Sequence, residues 1–337
     1  MLTAPVSLVL CLLGANDFPI DAVLEVIRAQ SVHRHEIKWA EVEPEIRAQA
    51  AKARTDAEAA AAIVRLFERL NDVHSVLMID GRSFSHYEGF DENTRKKLLA
   101  MIERDRAQAG KPIGRMLEGQ CAYILVPTMP TDSPQQVEKL AAELRREIAK
   151  LAVRKPASWI VDLRLNGGGN LYPMLVGLQP LLGEGVAGGT IDVDGRKVHD
   201  WLLKPDGLYW SDQSGERRFA SLDLPVKLER AAPPIAVLVG PATRSSGQAT
   251  ALAFRGRKNC RLFGEPTARG YTTVTNPVKI NPRVMLSLAV GYMADSAGIP
   301  CKSQVVPDHQ VDGGDNFDNL AADRKIAAAR EWLNRKH

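Results

Sequence analysis

Cysteine is scarce in this 337-residue chain: Cys11, Cys121, Cys260 and Cys301 stand far apart, and no C-x-x-C pair occurs. That spacing excludes zinc-finger and thioredoxin-like readings and leaves buried free thiols as the simplest state. Aromatic residues are few, at 6% of the chain. Basic and acidic residues nearly balance (44 against 40, formal charge +4), and no basic block stands out. A nucleic-acid partner is therefore not expected. Long apolar runs are missing too. The most apolar stretch, residues 1–15 (MLTAPVSLVLCLLGA), is too short to span a bilayer, so stable membrane insertion is not expected. It has the apolar centre of a secretory signal, with Gly14 and Ala15 near a cleavage point, but no Lys or Arg precedes it. Two readings of it compete: a signal remnant, implying export to a periplasmic or extracellular site, and a buried first segment of a cytoplasmic protein.

What is present is ordinary globular composition, 45% hydrophobic and 25% charged, enough for one large domain or two smaller ones. Residues 16–108 read as a helical N-terminal subdomain. Ile63, Leu66, Phe67 and Leu70 recur at helical spacing, Ala48–Ala62 is rich in Ala, Glu and Arg, and Leu98, Leu99 and Ile102 mark a further helix. From 109 to 337 the pattern changes to strands alternating with helices. Cys121–Val126, Trp159–Leu163 and Ile235–Val239 are short apolar runs fit for buried strands. Ser133 and Pro134 open a helix as N-cap and first residue, with Val137, Leu140, Leu144, Ile148 and Leu151 on one face. Leu171–Leu182 predicts an apolar helix interrupted by Pro180, residues 187–232 a meander or insertion, and Asp318–Lys336 a closing amphipathic helix. This alternation predicts an α/β core with a largely parallel sheet.

Three segments carry chemistry. In residues 235–254 (IAVLVGPATRSSGQATALAF) a strand turns through Gly240 and Pro241 into a helix beginning near Ser245. A hydroxyl there lies by the free amides and positive end of the helix, and the Ser246 amide is placed to hold an oxyanion. The same pattern is a capping box, Ser245 with Gln248 three residues on, and capping alone accounts for both residues. In residues 158–170 (SWIVDLRLNGGGN) a strand ends in Asp162 and Arg164, and three glycines follow. Their backbone amides can approach a ligand closely. Neither G-x-G-x-x-G nor G-x-x-x-x-G-K-[ST] includes this run, which weakens a phosphate cradle. Finally, His74 follows Asp72 by two in LNDVHSVL. A lone histidine is commonly structural, but a serine nucleophile needs a base, and histidine is the commonest near neutral pH.

Together these residues resemble the tail-specific/C-terminal-processing serine protease family. The family's DLRxNxGG motif stands here as Asp162-Leu163-Arg164-Leu165-Asn166-Gly167-Gly168-Gly169, and its TxSSGE segment as Thr243-Arg244-Ser245-Ser246-Gly247-Gln248. Its GExTxG segment appears with one added residue as Gly264-Glu265-Pro266-Thr267-Ala268-Arg269-Gly270, and a closing PD as Pro307-Asp308. All occur in the family's order, and with Asp72–Ser75 the similarity covers residues 20 to 311. Two departures narrow it. Arg269-Gly270-Tyr271 stands where the better-known branch has its catalytic lysine, and an arginine stays protonated. The interval from His74 to Gly110 is also too short for that branch's PDZ domain. What remains is similar to the branch of the tricorn core and the retinoid-binding-protein repeats.

The resemblance implies a ClpP/crotonase-like core of ββα units beside the helical subdomain. It implies Ser245 as nucleophile and His74 as general base, with Gly168 or Gly169 supplying an oxyanion amide opposite that of Ser246. Asp72, Ser75 and Glu265 are the candidates for orienting His74, and Gln248 replaces the usual Glu. Neither metal nor organic cofactor is implied; the partner is a peptide or protein substrate, and the oligomeric state stays open. The retinoid-binding repeats supply the rival reading, a non-catalytic binding protein for an apolar ligand or peptide. A small-ester hydrolase is chemically identical at the nucleophile.

Overall fold

The structure is a computed structural model describing residues 18–87, 92–108 and 110–335. The apolar segment 1–15 and Cys11 lie outside the described residues. The chain forms two compact units, one built from the residues up to Tyr87 with Asn276–Ala289, the other from Glu88–Thr275 with Val290–His337.

The first unit opens with three helices, α1 (Ile20–Gln30), α2 (Trp39–Ala51) and α3 (Asp56–Arg69). The Ala-rich stretch expected to be helical through residues 48–62 is broken between α2 and α3, where Thr55 starts a new helix. Its Oγ1 accepts the Glu58 amide at 3.2 Å while the Glu58 carboxylate accepts the Thr55 amide at 3.3 Å, a complete capping box. Ile63, Leu66, Phe67 and Leu70 are all fully buried, as their spacing predicts. A hairpin follows, β1 (Val76–Ile79) and β2 (Arg82–Phe84), which the helical reading of this region passed over. Its signal was the dipeptide Asp80-Gly81: both residues have positive φ (47° and 77°), the two-residue turn that matches strand twist. β1 also pairs antiparallel with residues 284–287.

The second unit contains α4 (Glu92–Gln108), β3 (Ile113–Leu117), β4 (Cys121–Leu125), α5 (Pro134–Ala152), β5 (Ser158–Asp162) and α6 (Leu171–Leu182). A meander of β6 (Gly185–Ile191), β7 (Lys197–Lys204), β8 (Gly207–Asp212) and β9 (Gly215–Ser221) comes next. Then follow β10 (Ile235–Val239), α7 (Ser246–Phe254), β11 (Cys260–Gly264), β12 (Thr273–Lys279), β13 (Val284–Ala294), β14 (His309–Gln310) and α8 (Arg324–Arg335). The chain passes from one unit to the other within β12 and within β13. Six strands form a sheet in the order β14-β11-β10-β5-β4-β3, parallel throughout except where β3 runs against β4.

Burial on both faces explains why the central strands are continuous apolar runs. Ala122, Ile124, Trp159, Val161 and Val237 face the core shared with α5, α6 and α7. Tyr123, Leu125, Ile160, Ala236 and Leu238 face the other way, onto Leu98 and Met101 of α4 and Ile326, Ala329 and Leu333 of α8. The predicted meander is antiparallel, and β6 pairs also with the end of β13. The three cysteines among the described residues are free. No helix among the described residues is long and apolar enough to cross a membrane.

The closing helix begins at Arg324 rather than Asp318, because Asp323 is its cap: Asp323 Oδ1 accepts the amides of Lys325 and Ile326, both at 3.0 Å. The other oxygen of Asp323 joins a buried ion network. Arg164, fully buried, reaches Asp162 at 2.6 Å, Asp315 at 2.9 Å and Asp323 at 2.7 Å. The fully buried Lys325 Nζ reaches Glu265 at 2.5 Å and Asp315 at 2.7 Å, and Lys97 meets the same two carboxylates from α4 at 3.1 and 3.4 Å. Burial works to raise the Asp315 carboxyl, but Lys325, Arg164 and Lys97 outweigh it and hold it below the usual range.

Removing one member of such a network leaves an uncompensated buried charge. Lys325→Met is therefore expected to destabilise the protein by about 3–5 kcal/mol, read from the urea midpoint. Lys97→Met, at a side chain 38% exposed, is expected to cost no more than about 1 kcal/mol. The depressed Asp315 carboxyl contributes stability above its unfolded pKa of about 3.9, lost as pH falls through its lower folded value. Acid unfolding of the Asp315→Asn variant should accordingly lose part of that low-pH slope.

Candidate active site

Three chain segments of the second unit converge on Ser245. β10 ends at Val239, and a turn from Gly240 to Arg244 leads into α7. Thr243 pins this turn: its hydroxyl donates to Leu163 O at 2.8 Å and accepts the Gly240 amide at 3.1 Å. The Arg244 amide donates to Asn166 O at 3.0 Å, and the Ala268 amide to Thr243 O at 3.2 Å. Held from both sides, Ser245 takes φ 49° and ψ −123°.

That conformation overturns the capping-box reading. An N-cap serine sits in the extended region and accepts a hydrogen bond from the first helical turn; Ser245 does neither. Gln248 is occupied elsewhere. Its Nε2 donates to Thr267 Oγ1 and Ala268 O, both at 2.6 Å, so the residue that replaces the family's Glu ties α7 to the 264–270 segment. A non-glycine residue in this backbone region carries about 1–3 kcal/mol of strain and persists only where its surroundings over-determine it.

The glycine run lies directly against the turn. Asn166 anchors it: Nδ2 donates to Val126 O and Pro127 O at 3.2 and 2.9 Å, and Oδ1 accepts the Gly168 amide at 2.9 Å. The Gly167 amide donates to Thr128 Oγ1 at 2.8 Å. Gly168 has φ 107°, and a Cβ there would stand 2.8 Å from Ser245 Cβ and 3.0 Å from Arg244 O. A Cβ on Gly247 would stand 2.6 Å from Asn166 O. Both glycines are required by this close approach of two backbones. Ser246 Oγ donates to Gly169 O at 2.6 Å. Gly168, Gly169, Ser245 and Ser246 are thus brought together, but the Gly168 amide is engaged by Asn166. Among the described residues, the amides of Gly169 and Ser246 have no acceptor.

In the first unit, His74 follows α3 on a turn built by Asp72. Asp72 is buried; its Oδ1 accepts the His74 and Ser75 amides at 3.0 and 2.9 Å, and its Oδ2 accepts the Ser75 hydroxyl at 2.6 Å. Ser75 Oγ in turn accepts the Ala289 amide at 2.9 Å. Asp72 therefore holds the His74 backbone, and Ser75 holds Asp72. Glu265, the third candidate orienter, has its carboxylate taken by Lys97 and Lys325. Arg269, at the position of the family's lysine, is exposed.

A cleft of about 540 Å³ opens beside the turn and the glycine run, with Gly167, Ala242 and Arg244 in its wall. Asp105, also in the wall, accepts the Thr128 amide at 3.0 Å, and burial raises its carboxyl above the ordinary range. Among the described residues no group of three or more His, Cys, Asp or Glu is arranged to hold a metal. The motif reading quoted Asn166 and Thr243 without giving them work, and it did not single out Thr128. Their roles are hydrogen bonds to segments about 40 or more residues away, for which a single sequence carries no local signal.

Comparison with known proteins agrees with this arrangement. The profile of peptidase family S41 matches residues 120–311, more than half the chain. The nisin-resistance protein of Lactococcus lactis subsp. lactis is 27% identical over 228 residues, a match spanning 68% of this chain and 65% of that protein's length. Among solved structures, a lipoprotein from Streptococcus agalactiae superposes with a TM-score of 0.66 at 18% identity, covering 94% of this chain and 96% of that one. The photosystem II D1 C-terminal processing protease gives a TM-score of 0.53 at 14% identity, covering 88% and 94%. At these identities the structural likeness speaks to the fold, the ClpP/crotonase-like α/β core expected from the motifs, and the profile match carries the assignment: the chain belongs to peptidase family S41.

Proposed function

We propose that the protein hydrolyses peptide bonds through an acyl-enzyme on Ser245, with His74 as general base. The observation that carries this reading is the backbone of Ser245, at φ 49° and ψ −123° between strand and helix without a capping bond. A serine needed only to cap a helix has no use for that strain. A nucleophile has, because a sharp strand-to-helix turn lifts Oγ off the backbone towards substrate. The D-x-H-S motif and the family resemblance support His74, whose backbone is fixed by Asp72.

In this mechanism His74 takes the Ser245 proton as Oγ bonds to the peptide carbonyl carbon. The negative charge moves to the carbonyl oxygen, where the unpartnered amides of Gly169 and Ser246 donate to it. Collapse breaks the C–N bond, and His74 gives its proton to the departing amine. Water, deprotonated by His74, then attacks the ester; His74 returns that proton to Ser245 Oγ as the Ser245–acyl bond breaks, and the product acid leaves. Gly168 serves by close approach, since its own amide belongs to Asn166. Asp72 and Ser75 are positioning residues for His74. Peptide substrates accord with family S41, and the relatives described as a lipoprotein and a nisin-resistance protein, with the apolar segment 1–15, favour a secreted or envelope-associated protein.

A fluorophosphonate probe is expected to label the wild type and to leave Ser245→Ala unlabelled; equal labelling of both would remove Ser245 as the nucleophile. His74→Ala should lower turnover on the order of 10⁴-fold or more, and an unchanged rate would assign the base elsewhere. Gly168→Ala should push Ser245 out of place and reduce turnover by about 10²-fold, with a lowered melting temperature. Peptides and nitrophenyl esters assayed side by side separate a peptidase from a small-ester hydrolase.

A further inference from the structure

Arg244, the residue before Ser245, is half-buried and is held differently from the fully buried Arg164 of the same unit. Its backbone is fixed on both sides, the amide donating to Asn166 O at 3.0 Å and the carbonyl accepting the Gly247 amide at 2.8 Å. Its guanidinium lies over the Tyr271 ring, 5.4 Å from the centroid. Nε is buried without an acceptor, and among the described residues no carboxylate or carbonyl accepts from any nitrogen of this side chain. Arg164, by contrast, is ringed by three carboxylates. A buried donor left unsatisfied costs about 1–3 kcal/mol, and stacking on an aromatic ring holds the planar fork in one orientation.

The cleft that Arg244 helps to line bears on what would complete this group. Arg106 also lines it, and among the described residues it too lacks an ion pair. The one acidic side chain in the wall, Asp105, is committed to the Thr128 amide and raised by burial. Two arginines and one engaged carboxyl thus share a wall that also carries Thr128, Gln136 and the apolar side chains Ile102, Leu140 and Leu165. A cationic substrate group would meet two like charges here. A carboxylate would be met by a planar fork suited to two parallel N–H···O bonds.

We infer that this cleft is a specificity site for peptides bearing a carboxylate next to an apolar side chain, with Arg244 as its principal anchor. The inference rests on the hydrolytic reading for its meaning, and is a statement about binding. The carboxylate has two sources, an acidic side chain or a free C-terminus, and Arg106 at the rim adds attraction to either.

The test uses the Ser245→Ala protein and three fluorescein-labelled apolar pentapeptides, read by fluorescence anisotropy at low salt. One carries a central Gln and a C-terminal amide, the second a central Glu and the amide, the third a central Gln and a free carboxylate. One of the two charged peptides is expected to bind at least tenfold more tightly than the neutral one, and which does so identifies the source. Arg244→Gln should abolish that advantage, Arg244→Lys should keep part of it, and Arg269→Gln, at an exposed arginine, should keep all of it. Equal affinity for the three peptides overturns the inference without any Arg244 variant, and so does an Arg244→Gln loss that is the same for charged and neutral peptides. A wild-type protein that the fluorophosphonate fails to label, with charge discrimination retained, would sink the hydrolytic reading and leave the site standing.

Discussion

Arg164 sits at zero exposure between Asp162, Asp315 and Asp323, and much of the second unit is arranged around that one guanidinium. It leaves the end of β5 only two residues before Asn166, so fixing its side chain fixes where the glycine run begins. Asp323 turns the same charge into a helix cap, which ties the start of α8 to the sheet. Lys325 and Lys97 extend the network to Glu265, just past the end of β11. An ion network of this kind contributes less to net stability than to uniqueness of arrangement, since its members tolerate few alternative partners in a low-dielectric interior.

From this base the two backbones around Ser245 are drawn closer than side chains would permit. Asn166 bonds backward to the loop after β4, forward to Gly168, and across to Arg244. Gly168 and Gly247 leave out the Cβ atoms that would collide. The strain at Ser245 is the local consequence of these contacts, and amides of Gly169 and Ser246 without an acceptor among the described residues are another. A serine at a helix start normally caps the free amides of the first turn; here it makes no capping bond.

Much of the architecture was legible. Leu171–Leu182 and Ile235–Val239 coincide with α6 and β10, because their apolar runs are bounded by glycine, proline or polar residues. The buried face of α5 was read correctly from Val137 to Leu151, since period 3.6 is a direct record of which side meets the core. Other features were missed for identifiable reasons. The hairpin at Asp80-Gly81 has strands of four and three residues, too short for alternation to outweigh its helical surroundings. The closing helix was started at Asp318, whereas α8 starts after Asp323, whose carboxylate is fixed by Arg164, some 160 residues away.

Chain order and residue type alone settled the parallel core, the glycine run and the motif order, because each is a property of neighbouring residues. They left Ser245 as a cap or a nucleophile and did not choose between Gly168 and Gly169. Tertiary structure determined that Ser245 does not cap its helix, and that the Gly168 amide is spent on Asn166. The physical reason is that a residue's φ and ψ at a crowded junction, and the acceptor its amide finds, are set by groups distant in sequence. The same holds for Arg244, an ordinary arginine in the sequence, whose buried Nε has no acceptor among the described residues, a state defined only by what the fold places around it.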